Sequence, residues 1–301
     1  MSTECNGRIS LPLTTSVWFL LIVGCMRNAP DHVNIVDFPP DSCGKRWHEE
    51  DLFSDPQLLA LAKAVNKEDL REIDRIVAAG ADVNLAGKDN VTPLAWALML
   101  ERKNAFRHLL QNGANPNHLV GKALPIIEIA AGDGKDFQWL QLCLEHGGDP
   151  NVVNQLNGIP HGRQTPIYRA ISSGQKKNVD LLIAAGADLE HRDYNGATPL
   201  LFGRAVGGHK VAYDLLKAGS DFRAKDNQEW DLICDVIRWR PERSPDDDAW
   251  EWRQKVLDFL EKHGADFAAA EQQVAQVDPA ALPGWEQEKR DRAARKLKGG
   301  E

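Results

Sequence analysis

The chain has 301 residues, 43% of them hydrophobic, and a formal net charge of −8. That supply of apolar side chains suffices for one large domain or two ordinary ones and is far above that of a disordered chain. The acidic balance provides no overall basic face for phosphate neutralisation, which argues against a general nucleic-acid binder. No zinc-type histidine and cysteine spacing, glycine-rich phosphate loop, GxSxG elbow or HExxH helix occurs, so nothing points to an enzyme, a cofactor or a small-molecule substrate.

In chain order, the first element is the apolar run LPLTTSVWFLLIVGC at residues 11–25, preceded by Arg8. Its length matches a signal-peptide core and falls short of the ~20 residues that span a bilayer as a helix. Ile22, Val23, Gly24 and Cys25 resemble the bacterial lipobox, in which a small residue precedes a cysteine that is lipidated. The resemblance implies a signal peptide over 1–24 and a lipidated tether over 25–51, anchored through Cys25. Met26 stands where an aspartate would favour the inner membrane, so the expected location is the outer membrane, facing the periplasm. Glu4 weakens the positive charge before the apolar run, and an uncleaved signal anchor or ordinary secretion are the alternatives.

From residue 52 onward a short string recurs, AAGADVN at 78–84 being one copy. Its glycine returns at Gly80, Gly113, Gly147, Gly186, Gly219 and Gly264, at intervals of 33, 34, 39, 33 and 45 residues. Upstream stand TPLAWAL from Thr92, TPIYRAI from Thr165 and TPLLFGR from Thr198, with LPIIEIA from Leu124 and DLICDVI from Asp231 as looser copies. Threonine caps a helix N-terminus and the proline after it has its φ already set, so Thr-Pro starts a helix. Glycine ends the second helix because it enters the left-handed region most readily. A period of 33 joining these two markers resembles the ankyrin repeat. The resemblance implies an all-α solenoid of about six helix-turn-helix repeats with short β-hairpin connections over 52–267, which binds protein. Residues 268–301 read as a helical or disordered tail carrying basic residues, with a Pro-containing break.

In ankyrin-like repeats the concave surface is formed by hairpin tips and variable first-helix positions. The position four residues after the threonine reads Trp96, Glu128, Arg169, Phe202 and Asp235. The hairpins and the residues just before the threonine add Lys88, Asp89, Lys122, His161, Arg163, Tyr194 and Trp230. Aromatics and arginine dominate interface hot spots, so these twelve are the expected partner-binding residues; packing of Trp96 and Phe202 between first helices is the alternative. The longer intervals place insertions at 152–164, lengthening one hairpin, and at 238–252, between the helices of the last repeat. Cys143 and Cys234 are expected as core thiols, too many repeats apart for a disulfide.

The architecture resembles the ankyrin-type immunity lipoproteins paired with lipase effectors of the type VI secretion system. That resemblance implies a membrane-tethered protein that clamps a periplasm-acting phospholipase-type toxin. A structural adaptor for an endogenous envelope complex would use the same surface. Catalysis by His161 and Asp149 near the inserted hairpin has no supporting constellation.

Overall fold

The computed structural model describes residues 48–121, 123–133, 136–156, 162–239 and 248–298, which fall within one compact unit. The signal and tether assignments, Cys25 with them, lie outside these residues, as do Lys122 and His161.

A short helix α1 (Glu49–Leu52) leads into helix pairs: α2 (Pro56–Lys67) with α3 (Leu70–Ala78), α4 (Pro93–Met99) with α5 (Lys103–Gln111), α6 (Ile126–Ala131) with α7 (Gln138–Glu145), and α8 (Pro166–Ser172) with α9 (Lys176–Ala184). The fifth pair forms one helical span, α10 (Pro199–Lys217), divided at Gly208, which sits at φ 73°. The sixth is α11 (Leu232–Arg238) with α12 (Ala249–Lys262), and α13 (Phe267–Val277) with α14 (Leu282–Lys298) follows. Among the described residues one connection contains strands, β1 (Leu119–Val120) antiparallel to β2 (Leu124–Pro125), and the one before α4 contains a single 3-10 turn, Lys88–Asn90. The fold is an all-α ankyrin solenoid, as expected.

The six recurring glycines all take positive φ, from 73° at Gly264 to 104° at Gly219, so each ends its helix in the left-handed region. Thr92 and Thr198 cap their helices by accepting the N–H of Ala95 at 3.3 Å and of Leu201 at 3.5 Å. Asp231, in the loosest copy, makes a shorter cap to Cys234 N–H at 2.9 Å. Thr165 makes none, and its hydroxyl is buried without a partner.

The first helices are nearly enclosed. Every residue from Pro93 to Leu98 is buried, as is all of α6. Second helices bury one stripe each, such as Phe106, Leu109 and Leu110 on α5 and Trp139, Leu140, Leu142 and Cys143 on α7. Phe106 and Trp139 meet edge-to-face at 5.1 Å, joining adjacent second helices. Each such side chain contributes roughly 1.5–3 kcal/mol when taken out of water, and no single helix pair has two covered faces without its neighbours. Cys143 and Cys234 are buried free thiols.

From Phe267 to Lys298 the chain is mostly helical, and it is packed against the last repeat: α13 and α14 both contact α11, and Trp285 is buried. Arg253 of α12 and Glu288 of α14 form a fully buried ion pair. Arg253 also donates to the carbonyls of Trp239 and Val236, and Gln254 donates to the same Glu288 oxygen at 2.7 Å. Arg292, itself buried, reaches Gln254, Asp258 and Glu261 at 2.6 to 2.9 Å. Arg292, one of the tail's basic residues, therefore faces the last repeat.

Candidate protein-binding surface

The first-helix row does not present all five of its predicted residues. Trp96 is 2% exposed and Glu128 4% exposed, so neither offers a surface. The reason is packing with neighbouring repeats: Trp96 and Phe202 reach back to an aromatic of the preceding segment, whereas Glu128 is covered from the following one. Trp96 meets Phe53 edge-to-face at 6.1 Å, and Phe202 meets Tyr168 of α8 at 5.3 Å. Glu128 accepts from Asn154 Nδ2 at 3.0 Å, while its second oxygen is buried without a partner. Burial pushes its carboxyl up to about 7, against the pull of Asn154 and of Arg169.

Further along the row the side chains open out. Arg169 and Phe202 are half-buried. Asp235, also half-buried, lies 2.9 Å from Arg204 Nε, and the Arg204 guanidinium stands 5.9 Å from the centre of the Trp239 ring. Burial raises the Asp235 pKa, with Arg204 the main opposing influence. Trp239, at the start of the second insertion, is 45% exposed. Trp252, at its end, packs against Tyr213 at 5.8 Å and donates to Asp248 at 2.8 Å.

The hairpin residues are set apart from the core. Lys88, Asp89, Arg163 and Tyr194 are exposed, and Trp230 is half-buried beneath the Arg238 guanidinium at 5.5 Å. Asp89 and Arg163 have φ of 52° and 58°, so each tip turns through a left-handed residue. Successive tips are tied by backbone bonds: Gly121 N–H to Asp89 O at 2.7 Å, Gln155 to Ala123 at 2.8 Å, Tyr194 to Gly162 at 3.0 Å and Asn227 to Asn195 at 3.1 Å. The exposed side chains thus rise from a ladder whose main-chain groups are largely committed to neighbouring tips.

A second ladder runs behind the tips, and it explains the asparagine of the recurring string. Asn84 Nδ2 donates to Gly113 O at 3.0 Å while its Oδ1 accepts from Asn115 N–H at 2.8 Å. Asn117 does the same to Gly147 and Asp149, and Asn151 to Gly186 and Asp188. The signal was available, since each asparagine stands four residues after a recurring glycine. The Arg204–Asp235 and Arg253–Glu288 pairs had no such signal, because their partners lie 31 and 35 residues apart in no repeated pattern.

Among the described residues no cluster of histidine, cysteine and carboxylate side chains could hold a metal ion, and no helix is long and apolar enough to cross a membrane.

Comparison with known proteins adds to this geometry. A family model for ankyrin repeats matches residues 127–226 in three copies. The chain is 34% identical to Protein PhlB of Serratia liquefaciens over 142 residues, covering 47% of this chain and 60% of PhlB. It is 35% identical to Ankyrin repeat-containing protein P1E11.10 of Schizosaccharomyces pombe over 104 residues, 34% of this chain and 45% of that protein. With Palmitoyltransferase AKR1 of Lachancea kluyveri the identity is 25% over 151 residues, 50% of this chain and 20% of the enzyme. The chain thus spans less than two thirds of each of these relatives. The matched repeats lie in the middle of the helix pairs described above, and the same pairing continues on both sides, so this protein is built as an ankyrin-repeat solenoid, a protein-interaction module.

Proposed function

We propose that this protein is a lipid-tethered binding module of the bacterial envelope that neutralises a periplasm-acting phospholipase-type toxin by holding it. The observation that carries the binding part is the row of exposed hairpin residues Lys88, Asp89, Arg163 and Tyr194, on tips joined to one another by backbone hydrogen bonds. Ankyrin repeats generally serve protein binding, and part of the chain is similar to a protein from a bacterium. The tether rests on the apolar run ending in Ile22, Val23, Gly24 and Cys25, with outer-membrane attachment facing the periplasm suggested by Met26.

The reading is tested by producing the full chain in a bacterial host exposed to periplasm-directed phospholipase effectors. Protection of growth, with co-purification of effector and chain, is the expected result. Metabolic labelling with a fatty-acid analogue is expected to mark the wild-type chain and not Cys25→Ala. A chain that protects against no effector, while its deletion disturbs envelope integrity in the absence of toxin, would instead identify an endogenous adaptor.

A further inference from the structure

Arg169 occupies the middle repeat of the first-helix row and is held in an unusual seat. A Cβ added at Gly132, on the preceding repeat, would come within 2.7 Å of Arg169 Nε and 2.8 Å of its Cγ. The bare glycine therefore lets the arginine stem lie against the end of α6. The stem packs along this glycine while Arg169 as a whole stays half-buried, so part of it remains open to a partner.

The guanidinium interacts with the Glu128 carboxyl only through its charge, at longer range than a hydrogen bond. Among the described residues it makes no hydrogen bond or ion pair, in contrast to Arg204 on the next repeat, which is committed to Asp235. The nearby carboxyl is Glu128, on the α6 helix that seats Arg169. Burial holds that group up to about 7, so near neutrality it is only partly ionised and compensates the arginine incompletely. On the other side, Phe202 packs edge-to-face against Tyr168, the residue next to Arg169, and keeps part of its ring exposed. A fork-shaped cation and a half-exposed aromatic at the same position of two adjacent, packed first helices, α8 and α10, together have the composition of an interface anchor.

We propose that Arg169 and Phe202 form a receptor for a partner segment carrying an aspartate or glutamate next to an apolar side chain, the carboxylate seating on Arg169 and the apolar group on Phe202. Gly132 acts as the positioning residue for the arginine. The proposal rests on the protein-binding reading above and names the chemistry of its partner.

The test uses a random peptide library displayed on phage, selected against the full chain and against Arg169→Gln and Arg169→Glu forms whose far-UV circular dichroism and unfolding midpoint match wild type. Peptides selected by the wild type are expected to share an acidic residue beside an apolar one. Their affinity is expected to fall roughly tenfold or more with Arg169→Gln, the loss typical of a charge-assisted anchor, and less completely with Phe202→Leu. The Arg169→Glu chain is expected to select basic peptides instead. Peptides without an acidic consensus, or with equal affinity for wild type and Arg169→Gln, would overturn the site while leaving protein binding itself intact. Enrichment of no peptide by any of the three chains would count against both.

Discussion

Glu128 and His209 are buried ionisable groups whose effects on stability have opposite signs. For Glu128, the folded pKa of about 7 lies above the ordinary value of 4.5, so the folded protein binds the proton more tightly than the unfolded chain. Stability from this group is fully present below pH 4.5 and is lost as pH rises towards 7 and through it, by up to about 3 kcal/mol. His209 is pushed from 6.5 to about 2, chiefly by burial and then by the Arg204 and Arg253 charges. Its contribution is present above 6.5 and is lost as pH falls below that value. Glu128→Gln keeps a group that can accept from Asn154 and removes the titration. Urea unfolding at about pH 5 and about pH 8 is expected to show a smaller pH-dependent loss in Glu128→Gln than in wild type, with the variant the more stable form at the higher pH. An unchanged difference between the two pH values would show that this carboxyl ionises normally. Glu128 was chosen from its place in the repeat, but its burial was not readable there: the same position holds Arg169, which stays half-open, because Asn154 and the helices around each residue differ.

Between helices, the decisive feature is a side chain that serves two repeats at once. Asn117 donates to Gly147 O and accepts from Asp149 N–H, so it satisfies a helix-end carbonyl and the start of the next turn together. Asn117→Ala leaves both groups to water, and the expected cost is about 1–2 kcal/mol, seen as a lower urea midpoint with little change in slope. Asn115→Ala, which removes only an Asx-turn acceptor to Asn117 N–H, is expected to cost less. Equal losses in the two variants would mean that the bridge adds nothing beyond the local turn. At the fifth repeat the series changes: Glu190 can accept from Asp221 N–H at 2.8 Å but has no amide donor for the Gly219 carbonyl. The helix stops were legible because glycine's conformational freedom is a local property. The bridge was not recognised, although its spacing was visible, since its meaning depends on the repeat that follows.

For the whole molecule, the last helix pair decides how the stack ends. A solenoid exposes an apolar face at each end unless a different surface covers it. Here Trp285, Ala270 and Val274 are buried, and the fully buried Arg253–Glu288 pair joins α12 to α14. Glu288→Ala strands a buried guanidinium and is expected to cost roughly 3–5 kcal/mol. The double variant Arg253→Met, Glu288→Leu removes both charges and is expected to recover most of that loss. Denaturant unfolding of the three forms measures this directly. A single variant as stable as wild type would show that the pair is solvated and that the C-terminal helices do not cap the stack. Composition suggested a tail here because six charged residues from Glu286 to Arg292 disguise a helix whose Trp285, Glu288 and Arg292 are buried.

By itself the sequence determined the repeat period, the helix starts at Thr92 and Thr198, the six left-handed stops and the role of Cys143 and Cys234 as buried thiols. Each of these follows from short-range constraints, capping, φ preference or helical patterning, that act within one repeat. Only the tertiary structure decided which side chains of the first-helix row stay open, that Trp96 and Glu128 do not, and that the C-terminal helices close the stack. Those outcomes depend on which residue of a neighbouring repeat lies within reach, as Gly132 does for Arg169 and Arg204 for Asp235, and that is set by packing between modules rather than by the pattern within one.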